Sequence, residues 1–376
     1  MWVTETIENL CEIEYGTRVV RKREQGTIYP VYGGGGETFR IDRKNRTSRV
    51  VIARFGMSER CTRYVDGDFF LNDSGLTLSP KSDELSQDFL NKIILSLNDS
   101  IYSIGRGTAQ KNLNMDAFKK LIISYPPVAE QERIVAKLDA TFAEINEAVN
   151  VAIAKETEFK KLKASLLSSS LTGDAVMWET HKLSDVIEKG ETINPTTNPD
   201  TKFSYIDVSS VDRKNFSISK TQTLRGKDAP SRARRLVKTG DVLFATVRPT
   251  LQRIAIVPEK LNGEVCSTGY IVLRPKASII CSKFIFYYML SEKVNTQMES
   301  LQTGASYPAV NDTQVKKLHI SFPSLSEQKI IVARLDAAYS EFENAYNLIE
   351  KSRQSYKSLK SAILAQELQS SQGEAA

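Results

Sequence analysis

One stretch occurs twice and constrains the whole chain. It reads P-P-V-A-E-Q-E-R-I-V-A-K-L-D-A-T-F at 126–142 and P-S-L-S-E-Q-K-I-I-V-A-R-L-D-A-A-Y at 323–339. From Glu130 to Phe142, 8 of 13 positions are identical to Glu327 to Tyr339. The same shift of 197 residues aligns Gly107 with Gly304, Asn114 with Asn311, Leu121 with Leu318 and Leu171 with Leu368, with no gap. Such a repeat fixes the architecture as two like halves.

Each copy opens a long helix. Pro126 and Pro323 end what precedes them, and Glu130 and Glu327 place acid near a helix N-terminus, where the dipole favours it. No Pro or Gly then interrupts before Gly173 or Gly373. Apolar residues fall at Leu138, Phe142, Ile145, Val149, Ala152 and Phe159, and again at Leu335, Tyr339, Phe342, Tyr346, Ile349 and Tyr356. Alternating steps of four and three make a coiled-coil seam. About 42 residues give a helix of roughly 63 Å. The seam carries Glu156 in one copy and Arg353 in the other. Two like halves related by a two-fold axis favour an antiparallel pair, with the end of the second helix near Trp2.

The half-boundaries follow. Trp2, Ile7 and Leu10 are echoed by Trp178, Leu183 and Val186. This divides the chain into a β-rich domain at 1–125, a helical region at 126–176, a second β-rich domain at 177–322 and a second helical region at 323–376. Strands are expected at 50–54, 62–65, 69–71 and 76–78, then at 205–208, 242–247, 253–257 and 270–273. Helices are expected at 86–97, 283–290 and 293–301, with Asn114 and Asn311 capping short helices. The two β-rich parts share a frame but differ in loop sequence, which suggests two ligands or two parts of one ligand.

The 376 residues suffice for two to three domains, and 26% charged with 41% hydrophobic residues suits a soluble globular chain. The net charge of +6 is compatible with a nucleic-acid partner. Four scattered cysteines and two histidines argue against zinc, and reduced thiols point to the cytoplasm. No signal peptide or apolar run of membrane-spanning length occurs.

Catalytic signatures are missing. Gly33–Gly36 lacks the G-K-[ST] of a phosphate loop and reads as a turn. No G-x-S-x-G, H-E-x-x-H, kinase or N-P-P-[FYW] motif occurs. Basic residues instead cluster on predicted loops: Arg18, Arg21, Lys22 and Arg23 before the glycine run, then Arg54, Arg60 and Arg63, with Ser58, around another turn. Arg225, Arg232, Arg234 and Arg235 lie in 225–238, and Arg248 and Arg253 bracket P-T-L-Q. Arg106, Gln110 and Lys111 occupy the stretch that matches Ser306 and Tyr307. With Tyr32, these are the candidate DNA contacts: Arg and Lys for phosphates, Arg, Gln and Ser for base edges. A solvated charged surface is the bland alternative.

The twin P-x-x-x-E-Q-x-x-I-V-x-x-L-D segments resemble those of type I restriction-modification specificity subunits. So do Y-I-D-V-S-S-V-D-R at 205–213, A-P-S-R-A-R-R-L-V-K-T-G-D-V-L-F-A-T-V-R-P at 229–249, S-T-G-Y-I-V-L-R-P at 267–275, P-V-Y-G-G-G-G at 30–36 and V-I-A-R-F-G at 51–56. Phe55 stands where that family often has Lys, and Gly34–Gly35 where it often has polar residues. The resemblance implies an α+β fold, with two β-rich target recognition domains joined by a long antiparallel two-helix coiled coil. It implies a non-catalytic subunit that binds an asymmetric bipartite site in double-stranded DNA, one half per domain. Two modification (methyltransferase) subunits and the restriction/translocase subunits would dock on it. S-adenosylmethionine, ATP and Mg would sit on those partners, and no cofactor on this chain. The rivals are a coiled-coil scaffold with protein-binding β-domains and an unrecognised nuclease.

Overall fold

A computed structural model describes residues 2–24, 26–108, 110–172, 178–304 and 306–369. Residues 173–177 and those from 370 onward lie outside them. The chain is α+β and forms two compact units, Met1–Ile153 with Glu350–Ala376, and Ala154–Ile349.

The first unit holds a six-stranded sheet in the order Cys11–Tyr15, Gly75–Pro80, Arg46–Ala53, Thr62–Leu71, Tyr29–Gly33, Gly36–Ile41. Two strands expected at 62–65 and 69–71 are one. Gly67, at φ +69°, lets the backbone continue, and the register shifts opposite Ser48. The glycine run is a hairpin turn: Gly33 pairs with Gly36, leaving Gly34 and Gly35 at the tip. The second unit splits its strands. A three-stranded sheet runs Ile254–Ile256, Val242–Ala245, Tyr270–Leu273, and a five-stranded sheet carries Glu191–Thr192, Ala233–Leu236, Val265–Ser267, Lys202–Ile206 and Gln222–Arg225.

The two units share a frame. In the first, Arg46–Ala53 lies between Gly75–Pro80 and Thr62–Leu71; in the second, Val242–Ala245 lies between Tyr270–Leu273 and Ile254–Ile256. Val3–Thr6 pairs antiparallel with Ile122–Tyr125, and Glu179–Lys182 with His319–Phe322. Thr4 and Ser124 hydroxyls meet at 2.9 Å, and Thr180 and Ser321 at 2.7 Å. The expected helices form at Gln87–Ser96, Ser282–Leu290 and Glu292–Leu301. Asn114 and Asn311 accept from backbone N–H groups at their helix N-termini as caps should.

The duplicated motif proves to be the joint between each helix and its own unit. Gln131 and Gln328 are fully buried. Gln131 accepts from Ser86 N at 2.8 Å and donates to Glu84 O and Pro126 O, both at 2.7 Å. Gln328 repeats this with Cys281 N at 3.0 Å, Ile279 O at 3.0 Å and Pro323 O at 2.9 Å. Asp139 then pairs with Lys92, and Asp336 with Lys283. Leu138 and Leu335 fill the cores below. The Gln, Leu and Asp of E-Q…L-D thus serve packing or polar satisfaction in both copies.

The long helices are Val128–Leu171 and Leu325–Gln369, and they pair antiparallel. In the first unit Lys137 meets Glu367 at 2.7 Å, and Lys360 lies over the Phe142 ring at 4.6 Å. In the second, Phe159 packs edge-on against Phe342 and Tyr346, and Lys163 lies over Tyr339 at 4.1 Å. Numbers rise along one helix as they fall along the other. Leu368 packs in the same core as Trp2, and Leu171 in the same core as Trp178. The seam charges bond within their own helices, Glu156 with Lys160 and Arg353 with Glu350. Burial lowers the pKa of Lys163 and of Lys360. Among the described residues, no helix is long and apolar enough to cross a membrane.

Candidate nucleic-acid interface

Each unit ends its central strand against a small hairpin that the repeat supplies. In the first unit Arg106 pairs antiparallel with Asn112, and in the second Thr303 with Ala309. Gly107 sits at φ +110° and Gly304 at φ +102°. A Cβ there would stand 2.3 Å from Gln110 O or 3.0 Å from Tyr307 O, so conformation disfavours a side chain at both positions and space excludes one at Gly107. The hairpins dock the same way. Leu113 N donates to Arg54 O and Val310 N to Thr246 O, both at 2.9 Å; Met57 N donates to Lys111 O and Arg248 N to Pro308 O, both at 2.7 Å.

The side chains presented there differ. In the first unit Arg54 lies between two rings, 4.5 Å from the Tyr15 centroid and 4.9 Å from that of Phe55, and its Nη1 donates to Asp73 O. Phe55 is 50% exposed. The tip of the glycine hairpin abuts this loop: a Cβ on Gly34 would meet Ala53, and one on Gly36 the Arg63 guanidinium. Gln110 is exposed beside Gly56. In the second unit Arg248 lies 5.0 Å from the centroid of Tyr307, which is 72% exposed, and its Nη2 donates to Ser306 O. Arg248 itself adopts the left-handed region at φ +50°, uncommon for a residue with a side chain. Thr268 N donates to Arg232 O and Thr246 N to Gly269 O, tying Arg232 to the same end of the unit.

The other sequence-predicted residues scatter. Arg18, Arg225 and Arg232 are exposed. Tyr32 is half-buried, edge-on to Phe69. Arg106 is exposed; Lys111 lies over the Tyr102 ring at 3.8 Å. Ser58 donates to Arg60 O, and Arg60 stands near enough to Lys360 to help lower its pKa. Arg253 donates inward to Val211 O at 2.8 Å. The stretch 225–238, expected as a loop, contains the strand Ala233–Leu236. Arg235 on that strand makes a two-pronged pair with Asp312 at 2.7 and 3.0 Å, and half-buried Arg234 donates to its neighbour Ala233 O. Periodicity missed this strand because Ala-Arg-Arg-Leu does not alternate and its two arginines read as polar surface. Phe55 was missed as a site member, its exposed position before Gly56 being the only signal available, while Arg63, counted in the basic cluster of that turn, is half-buried.

Among the described residues, no three of His, Cys, Asp and Glu converge to hold a metal ion. Burial pushes the Cys11 and Cys266 thiols up to about 12 and the Cys61 thiol up to about 11, so all three stay protonated near neutrality. What converges is basic, aromatic and amide-bearing side chains on two twin loop clusters.

The family model described as type I restriction modification DNA specificity domain matches residues 1–155 and 175–351. The type I restriction enzyme HindI specificity subunit of Haemophilus influenzae is 28% identical over 108 residues, 28% of this chain and 24% of that subunit. The type I restriction enzyme MjaVIII specificity subunit of Methanocaldococcus jannaschii is 23% identical over 327 residues, 79% of this chain and 74% of the relative. A solved chain from the assembly of a type I R-M system superposes with a TM-score of 0.72 at 17% identity, covering 98% of this chain and 97% of that one. At that identity the likeness speaks for the fold. With both halves matched by one family model and the duplicated frame built on the same E-Q…L-D joint, the chain belongs to the type I restriction-modification DNA specificity family.

Proposed function

We propose that the chain is the sequence-specific DNA-binding subunit of a type I restriction-modification complex and does no chemistry itself. It reads an asymmetric bipartite site, one half with each β-rich domain, at 1–125 and 177–322. The helical regions, 126–176 and 323–376, set the unread gap and dock the methyltransferase and restriction subunits. S-adenosylmethionine, ATP and Mg belong to those partners. The observation that carries this reading is the twin hairpin: one anchoring frame, repeated, presents different side chains in the two units. Contacts are assigned to Arg18, Tyr32, Arg54, Ser58, Arg60, Arg106, Gln110 and Lys111 in the first half. Those of the second half are Arg225, Arg232, Arg234, Arg235, Arg248, Arg253, Ser306 and Tyr307.

Comparing adenine methylation of host DNA with and without this chain yields the target. The full chain should then bind that duplex with a steep dependence on salt. Salt-independent binding, or none, favours a protein scaffold, and Mg-dependent cleavage by the chain alone favours a nuclease. Arg225→Ala with Arg232→Ala tests the phosphate contacts. Both side chains are exposed, whereas losing Arg235 would strand Asp312. The double variant should lower the slope of log K against log salt by about two units. An unchanged slope places these arginines off the DNA.

A second test concerns the gap. The antiparallel register means that a heptad must leave both helices together. Deleting 143–149 with 353–359 shortens the pair by about 10 Å. The target should keep both read halves and change only its gap, by at most about three base pairs at 3.4 Å each. Altered half-sites would sink the role assigned to the helices.

A further inference from the structure

Both units carry the same unusual pair at the same place. An aromatic ring stands half or more exposed at the junction of the central-strand loop and the twin hairpin, with an arginine guanidinium against it. In the first unit the ring comes from the loop: Phe55, 4.9 Å from Arg54. In the second it comes from the hairpin: Tyr307, 5.0 Å from Arg248. The two pairs arise from non-equivalent positions, since Tyr307 matches Gln110 in the repeat. The repeat itself therefore does not explain them. Neither ring is core: Phe55 is 50% and Tyr307 72% exposed, so little apolar area is buried to hold them there. The arginines are tethered. Arg54 Nη1 donates to Asp73 O at 2.9 Å; Arg248 donates from its backbone to Pro308 O at 2.7 Å and from Nη2 to Ser306 O. A tethered cation braces the ring against sideways swing through its quadrupole.

A braced, exposed ring among basic side chains has a definite use on duplex DNA. Rings of this kind enter between base pairs and partly unstack them. A nucleobase stacked on such a ring contributes to binding whatever its identity. We propose that Phe55 and Tyr307 are wedge side chains, each stacking on a nucleobase at an opened step in its half-site, with Arg54 and Arg248 as their positioning residues. The inference rests on the DNA-binding function proposed above. It adds that the bound duplex is locally unstacked at two steps, one per half-site.

The test uses the full chain and its mapped target, with 2-aminopurine placed in turn at each adenine of the half-sites. Binding should raise the fluorescence at one position in each half, because unstacking relieves quenching. Tyr307→Ala should abolish the rise in the second half-site only and weaken binding roughly 10- to 100-fold. Phe55→Ala should do the same in the first half-site only. Tyr307→Trp should restore both affinity and signal. Thermal unfolding of Tyr307→Ala should match the parent, as the ring is not part of the core. Specific binding by the parent with no fluorescence rise, or a Tyr307→Ala variant with unchanged affinity and signal, overturns the wedge while leaving the proposed function intact. Failure of the parent to bind its mapped target removes that function instead.

Discussion

Replacing Gln131 by leucine is expected to destabilise the first unit by about 3–9 kcal/mol. The amide satisfies Ser86 N, Glu84 O and Pro126 O in a site with no water access. Leucine fills the space but orphans all three backbone groups, at about 1–3 kcal/mol each. Gln328→Leu should act equally on the second unit, through Cys281 N, Ile279 O and Pro323 O. Either loss is a large fraction of the roughly 5–15 kcal/mol that stabilises a domain. Denaturant titration of each variant should show one unit melting early. Gln131→Glu gives a sharper test. Its carboxyl can accept from Ser86 N, but its second oxygen faces two carbonyls, so the folded state favours the protonated acid. Its folded pKa then lies above the unfolded value of about 4.3. The variant should be most stable below that value and lose stability as pH rises through the raised folded pKa, opposite to the usual carboxylate. A pH-independent difference from the parent would show that the latch is not as drawn.

Asp241→Ala is expected to cost the second unit about 3–5 kcal/mol, because it strips a buried guanidinium of the buried carboxylate that takes two of its donors and leaves only the half-exposed Glu191 on Nη1. Asp241 is 1% exposed, and both its oxygens accept from Arg274, Oδ1 from Nε and Oδ2 from Nη2, each at 2.9 Å. Oδ2 also accepts from Lys238 N at 2.8 Å, which closes the turn at Gly240. The carboxylate bonds hold the Arg274 guanidinium above its already high pKa, so it cannot escape by losing its proton. Removing both charges as Asp241→Leu with Arg274→Met should recover most of the loss, since a well-packed apolar pair can replace a buried ion pair at little cost. Chemical denaturation of the two single variants and the double variant measures the coupling. Additive losses would mean that the pair contributes no mutual stabilisation.

These two sites also show where the sequence spoke. The segments K-T-G-D-V-L-F and Y-I-V-L-R-P were legible as family pattern, but not as a single ion pair between residues 241 and 274. Periodicity was enough for long or fully apolar elements, such as Tyr270–Leu273 and Ser282–Leu290. It failed for short strands such as Val3–Thr6 and Ala233–Leu236, which are four residues long and too brief to show a period. Basic residues could be counted on loops, yet their engagement could not. Arg235 and Arg253 spend their donors on Asp312 and Val211 O, while Arg225 and Arg232 lie exposed.

By itself the sequence determined the duplication, the two long helices and the absence of a catalytic signature, because repeats and seam spacing are written in one dimension. The direction of the helix pair, the burial of Gln131 and Gln328, and the meeting of Phe55 with Arg54 and of Tyr307 with Arg248 were decided only in three dimensions. Each depends on which backbone groups need partners and which side chains approach across the fold, and local spacing carries neither.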